Sequence, residues 1–259
     1  MLRIQYFCVT RKTTKLSHSF SEAIDLIKKA KHIVAFTGAG ISVESGIPPF
    51  RGAQGLWSKY DPQVLELYYF FDNPKESWIV IKEIFYDFFG KAKPNDAHKG
   101  LAILESKGFI KEIITQNIDN LHQEAGSKVV HEFHGNSQQL ICTSCKSTYK
   151  ASEINLNKLP PLCLKCNSLL KPDFIFFGEG IPQDAYFASL AAAEKADLFI
   201  LIGTTGEVMP ACQMPYIAKE NGAKIIEINP ETSKFTHTIT DVFLKEKASI
   251  AMNHIIKSL

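Results

Sequence analysis

Apolar positions along the chain follow two periods. Phe20, Ala23, Ile24, Ile27 and Ala30 share one helical face, and Ser19-Phe20-Ser21-Glu22 has the form of a capping box. Residues 32–37 are a short apolar run of strand length that leads into Gly38-Ala39-Gly40. An aromatic-rich helical pattern spans residues 75–89. Asp96-Ala97-His98 then opens a helix that Gly108 closes, and residues 112–117 read as the next strand. The alternation returns near the carboxyl end as helix 182–196, strand 198–202, helix 210–221, strand 224–228 and helix 248–259. Such alternation predicts an α/β fold, a doubly wound, Rossmann-like parallel sheet covered on both faces. Residues 142–166 break the rhythm with polar turns and paired cysteines, and read as a small insertion.

At 259 residues, with 45% hydrophobic and 22% charged side chains, the chain can close a full core without covalent staples. A formal net charge of +2 gives no global attraction to nucleic acid or to an anionic membrane. No apolar run approaches the ~20 residues of a membrane-spanning helix. Three arginines occur, Arg3, Arg11 and Arg51, so Arg51 is the only guanidinium in the body of the chain. Residues 1–18 are basic and free of acids, and are expected to form a flexible tail. A mitochondrial targeting segment has the same composition. Without a secretory pattern, a reducing, cytoplasmic setting is expected.

Cys142-x-x-Cys145 and Cys163-x-x-Cys166, seventeen residues apart, have the spacing of a zinc ribbon, in which each of two turns offers a pair of thiolates. Four sulfurs close a tetrahedral shell and leave no position for a reacting water. The expected zinc, one per chain, is therefore structural. Zinc ribbons also bind nucleic acid, but this segment offers four lysines and a single aromatic, Tyr149, in place of an interleaved basic and aromatic surface. Cys8 and Cys212 stand outside the pairs and read as small hydrophobes.

Gly38-Ala39-Gly40 after a strand suits close approach to a phosphate. Val43 stands where the dinucleotide fingerprint wants its third glycine, which argues against a plain dehydrogenase. The continuation Ile41-Ser42-Val43-Glu44-Ser45-Gly46-Ile47-Pro48-Pro49-Phe50-Arg51-Gly52 resembles the signature loop of the sirtuins, the NAD-dependent protein deacylases. Three further segments agree in order and spacing: Thr115-Gln116-Asn117-Ile118-Asp119, Phe133-His134-Gly135-Asn136, and Lys171-Pro172-Asp173-Phe174-Ile175-Phe176-Phe177-Gly178-Glu179. Gly203-Thr204-Thr205 and Ile228-Asn229 complete a resemblance that covers about residues 19–259.

The resemblance implies a catalytic domain over 19–259, with the zinc module at about 136–172 and a helical insertion at about 53–95. It implies NAD as co-substrate. Gly38, Ala39, Gly40, Ser42 and Phe50 would line its path, with Arg51 as the mobile cation over the phosphates. Gln116, Asn117 and Asp119 would form the nicotinamide pocket, and an extended backbone would present Asn117 and Asp119 to one side. Gly203, Thr204, Thr205 and Asn229 would hold the adenosine ribose end. His134 resembles the general base, a role that suits an ordinary imidazole pKa of ~6.5, with Asn117 and Asp119 also catalytic. His122 and His131 are the competing histidines nearby. The implied partners are acyl-lysine proteins. Their backbone would add as a strand between Phe177-Gly178-Glu179 and Gly206-Glu207-Val208, beside Ile175. The implied reaction transfers the acyl group from lysine to ADP-ribose and releases nicotinamide.

Relatives that remove succinyl or malonyl groups read the acyl carboxylate with a Tyr-x-x-Arg pair. Here Tyr86 is followed three positions on by Phe89. Phe85, Phe88, Phe89 and Ile175 would give an apolar wall that favours uncharged acyl groups, the alternative being that the aromatics are only core. Glu207 would set negative charge beside the peptide and favour basic flanking residues. Pro49 should stiffen the cofactor loop. Two other functions compete: ADP-ribosyl transfer to protein from the same pocket, and a zinc-ribbon nucleic-acid binder. Neither nucleic acid nor membrane is the expected primary partner.

Overall fold

The computed structural model describes residues 18–50 and 55–259. The expectations for the first seventeen residues and for Arg51 lie outside the described residues. In chain order the strands are β1 (Ile33–Thr37), β2 (Ile110–Thr115), β3 (Val130–Glu132), β4 (Gly135–Cys142), β5 (Thr148–Lys150), β6 (Leu170–Phe174), β7 (Leu198–Ile202), β8 (Lys224–Ile228) and β9 (Val242–Leu244). The helices are α1 (18–29), α2 (Leu67–Asp72), α3 (Pro74–Ile81), α4 (Asp96–Ser106), α5 (Leu121–Glu124), α6 (Gln183–Lys195), α7 (Gln213–Glu220) and α8 (Ala248–Ser258).

Six strands form a parallel sheet in the order β3-β2-β1-β7-β8-β9. β1 and β7 lie at its centre, and every residue of both is buried, which is why their sequences are unbroken apolar runs. Alternate side chains serve opposite layers. Ile33, Ala35 and Ile200 pack with Leu101 of α4 and Met252 of α8, whereas Val34, Phe36 and Phe199 pack with Ala192 of α6 and Met214 of α7. The strand order reverses between β1 and β7, so a crevice opens beyond their carboxyl ends, at Thr37 and Ile202.

Two smaller modules stand over that crevice. Antiparallel strands β5-β4-β6 carry the cysteine pairs. Residues 55–91 form 3-10 turns, α2, α3 and a π-helical turn, Lys82–Phe88. The fully buried Trp78 of α3 donates its indole N–H to Leu170 O at 2.9 Å and ties the modules together. Their shared core includes Ile47, Phe85, Phe174 and Cys163.

The elements depart from the sequence pattern at their ends. Helix α1 already runs at residue 18, so Ser19 lies within it and not at its cap. The aromatic helix expected over 75–89 is divided, α-helical to Ile81 and π-helical beyond. β2 starts at Ile110 and stops at Thr115, which leaves Gln116 and Asn117 in the following loop. Turns closed by Cys212 N–H to Val208 O and by Gln213 N–H to Pro210 O delay α7, expected from residue 210, until Gln213.

Candidate active site

The site is built where the loops after β1 and β7 touch backbone to backbone. Gly40 N–H donates to Gly203 O at 2.8 Å. A Cβ on Gly40 would lie 2.6 Å from Gly203 Cα, and one on Gly203, which has φ +63°, would lie 2.3 Å from Ile41 N. Only glycine lets these loops meet. Gly38 follows β1, and Ala39 and Gly40 open the 3-10 turn Ala39–Ser45. Gln116 Nε2 donates to Thr204 Oγ1 at 3.2 Å, and Asn229 Nδ2 donates to Thr204 O at 2.8 Å. Lys234 N–H donates to Thr205 O at 3.1 Å. Thr204 thus joins the residues expected at the two ends of NAD.

Ser42 organises the polar wall. Its hydroxyl donates to Asp119 Oδ2 at 2.6 Å and accepts from Asn117 Nδ2 at 3.2 Å. Asn117 and Asp119 therefore converge, although the strand that should have aligned them has ended. Burial raises the Asp119 pKa against the lowering effect of the Ser42 and Leu121 hydrogen bonds. Ala39, Ser42, Ile47, Phe50, Phe89, Asn117, Ile118 and Asp119 line one small pocket.

His98 was not singled out by sequence, because a single histidine in a helical pattern carries no signal. Its Nε2 lies 3.4 Å from Ser42 Oγ. The Ser42 proton goes to Asp119, so His98 is the donor. His122 Nε2 lies 2.9 Å from Thr37 Oγ1, beneath the loop. The two rings meet edge to face at 5.0 Å, and burial lowers their pKa values to about 4 and about 3.

His134 sits in the turn between β3 and β4, its Nδ1 3.0 Å from Gln116 O. A carbonyl only accepts, so Nδ1 carries the proton and Nε2 keeps a lone pair. Burial lowers the pKa, and the Gln116 hydrogen bond opposes this in part. Ile175 N–H donates to His134 O at 2.9 Å, which sets Ile175 beside this histidine. The competing His131 turns instead to Glu112, with Nε2 2.7 Å from Oε2.

On the expected substrate side, Phe177 is already paired. Its N–H donates to Leu65 O at 2.8 Å and its carbonyl accepts from Leu67 N at 3.0 Å. An added strand would therefore rely on Gly178 and the chain beyond it. The Glu179 carboxylate accepts from Phe176 N at 2.7 Å and pairs with buried Lys171 at 2.9 Å, so it braces the loop. Across the cleft, Gly206 packs on Phe235, Val208 is at the surface, and Glu207 lies 3.8 Å from Lys234. That lysine offsets part of the charge expected to select basic peptides.

In the apolar wall Phe89 packs on both Phe85 and Phe88, with ring centroids at 5.5 Å and 5.8 Å, yet the side chains reach different cavities. Tyr86 stacks on Trp78, its hydroxyl buried without a partner and its pKa driven upward by burial. Phe85 packs on Phe174, and Phe89 faces the Asn117–Asp119 pocket. Phe88 is 58% exposed. It lines a separate cavity of about 100 Å³ with Pro48, Leu56 and Ile84. The π-helical turn changes the spacing of these side chains, so a helical period does not align them.

The four cysteine sulfurs lie within 4.8 Å of one another, with 3.5 Å between Cys142 and Cys166 and 3.6 Å between Cys145 and Cys163. Tetrahedral zinc with Zn–S bonds of ~2.3 Å needs sulfurs roughly 3.8 Å apart, so the cluster fits one zinc. Lys146 and Asn167, each just after a pair, have φ of +60° and +59°, the left-handed turn that folds each thiolate pair around a common centre.

A model of the Sir2 family matches residues 38–210. An NAD-dependent protein deacylase of Thermococcus kodakarensis is 44% identical over 242 residues, 91% of this chain and 93% of the relative. A solved Sir2 homologue in complex with ADP-ribose superposes with a TM-score of 0.87 at 39% identity, covering 92% of this chain and 95% of that one. A Sir2 structure with a p53 peptide and NAD+ gives a TM-score of 0.84 at 38% identity, covering 91% and 96%.

Proposed function

This chain belongs to the Sir2 family, and from that membership we propose that its cleft transfers uncharged acyl groups from protein lysines to the ADP-ribose part of NAD. At the level of reaction class it is an NAD-dependent protein deacylase. The observation that carries the acyl-transfer reading is the bond from His134 Nδ1 to the carbonyl of Gln116, the residue before Asn117 of the Asn117–Asp119 pocket, which leaves Nε2 as an acceptor.

Asn117, Asp119 and Ser42 would orient the nicotinamide end. Gly38, Ala39 and Gly40 would admit the phosphates, where Arg51 would supply the cation, and Thr204, Thr205 and Asn229 would hold the adenosine ribose. NAD supplies the leaving nicotinamide and the ribose that receives the acyl group. An amide oxygen is a weak nucleophile, so fixing it against the ribose carbon contributes much of the rate. His134 Nε2 then takes the proton of the attacking ribose hydroxyl.

The preference for uncharged acyl groups is supported by Phe89 and Ile175 and by the composition. Arg51 is the one arginine in the body of the chain and is assigned above to the NAD phosphates, and Phe89 stands three positions after Tyr86, where an arginine would read an acyl carboxylate. We assign the protein to a reducing, cytoplasmic setting, in which the four clustered thiols would be kept for zinc.

Mass spectrometry of a reaction with NAD and an acetyl-lysine peptide tests this reading. Nicotinamide, free peptide and O-acetyl-ADP-ribose should appear in equal amounts and vanish with His134→Ala. ADP-ribose attached to protein, with the acetyl group retained, would overturn it.

A further inference from the structure

Glu227 is a carboxylate in the middle of β8, between Ile226 and Ile228, and it is 1% exposed. Among the described residues no cation pairs with it. Three hydroxyls do: Ser233 Oγ at 2.5 Å and Thr236 Oγ1 at 3.0 Å donate to Oε1, and Thr240 Oγ1 donates to Oε2 at 2.8 Å. A buried carboxylate is strongly unfavourable unless it is hydrogen-bonded, and all three donors come from the loop between β8 and β9. With their protons directed at Glu227, the Ser233 and Thr236 oxygens become acceptors, for Phe235 N at 3.0 Å and Ser233 N at 2.8 Å. The carboxylate thereby fixes the direction of these hydroxyls and, through them, the course of the loop backbone.

That stretch reaches the cleft at three points. Asn229 Nδ2 holds Thr204 O, and Lys234 N–H holds Thr205 O. The ring of Phe235, fully buried, fills the space under Gly206, where a Cβ would lie 2.7 Å from the ring.

We infer that Glu227 is a positioning residue for the cofactor: its hydroxyl-bound carboxylate holds the β8–β9 loop, and so Thr204, Thr205 and Asn229, in the geometry that receives the adenosine ribose end of NAD. The inference rests on the NAD reading above. Glu227 itself touches no substrate, so its loss should weaken cofactor binding and leave the chemical step nearly intact.

Three variants and two readouts test this. Glu227→Ala should raise the KM for NAD about tenfold, with kcat within about twofold, as expected for loss of binding common to ground and transition states. Glu227→Gln keeps a carbonyl oxygen for two of the hydroxyls and should recover most of the loss. If Glu227→Ala does not fold, Thr236→Val, which removes one donor, should still raise the KM about threefold. Calorimetric binding of ADP-ribose should weaken in parallel. A folded Glu227→Ala or Thr236→Val protein with a lower Tm but unchanged KM and ADP-ribose affinity would overturn the inference. Wild-type protein that binds no ADP-ribose would instead overturn the NAD reading beneath it.

Discussion

The backbone carbonyl of Gln116 lies 3.0 Å from Nδ1 of His134, and this contact fixes which nitrogen of the ring can act as a base. Burial holds the imidazole below its ordinary pKa, so the ring is neutral at neutral pH. The kcat/KM should rise with pH through a midpoint below the usual ~6.5 and then stay flat. His134→Ala should lose at least about a hundredfold in kcat. A pH profile of wild type, taken with NAD saturating, checks both the sign and the midpoint. An acid limb centred above 7 would mean that another group titrates.

The stacked loops after β1 and β7 predict an asymmetry among the glycines. At Gly203 both the positive φ and the 2.3 Å approach to Ile41 N oppose a side chain, whereas Gly46, at φ +89°, has open space around it. Gly46→Ala should lose about 1 kcal/mol from backbone strain alone. Gly203→Ala should lose several kcal/mol and, where it folds at all, bind NAD poorly. Urea midpoints of the two variants give the comparison. Equal losses would show that the loops can part without penalty.

The four-sulfur cluster should hold one zinc per chain by elemental analysis. Because its shell is closed, removing the metal should unfold the β5-β4-β6 module and not merely silence a reaction. A strong chelator is expected to lower the Tm, and Cys163→Ser, at a buried ligand, should melt lower still. A chelated protein with an unchanged melting curve would assign the cluster no structural part.

The parallel sheet was legible because β1 and β7 are buried on both faces and so spell out continuous apolar runs. β3 and β9, at three residues each, are too short to show a period, and the strands of the cysteine module pair across polar turns. At the site, the glycines and cysteines could be read because their chemistry tolerates few substitutes. Ser42's grip on Asn117 and Asp119 depends on how two loops fold toward each other, which no spacing encodes. The aromatic segment is a similar case, since the change from a π-helical turn at Phe88 to a 3-10 turn at Phe89 leaves Phe88 exposed while Phe85 and Phe89 are buried.

His98 and His122 make the protein's stability depend on pH in a window set by their burial. Desolvation lowers both pKa values, to about 4 for His98 and about 3 for His122, and each Nδ1 is buried without a partner. In the unfolded chain both would titrate near the ordinary ~6.5, so below that pH the unfolded state binds protons that the native state refuses. Stability is therefore fully present above pH ~6.5 and falls as the pH drops toward the folded values, by up to about 1.4 kcal/mol per pH unit for each ring. Cysteine protonation also loosens zinc in acid, so the slope in wild type alone does not isolate the histidines. His122→Gln does: it removes one titrating ring, away from the thiolates, and should make the fall in urea midpoint between pH 7 and 5 shallower. If the two proteins lose stability in parallel across that range, then His122 is protonated in the native state too, and its burial is looser than the packing against Thr37 implies.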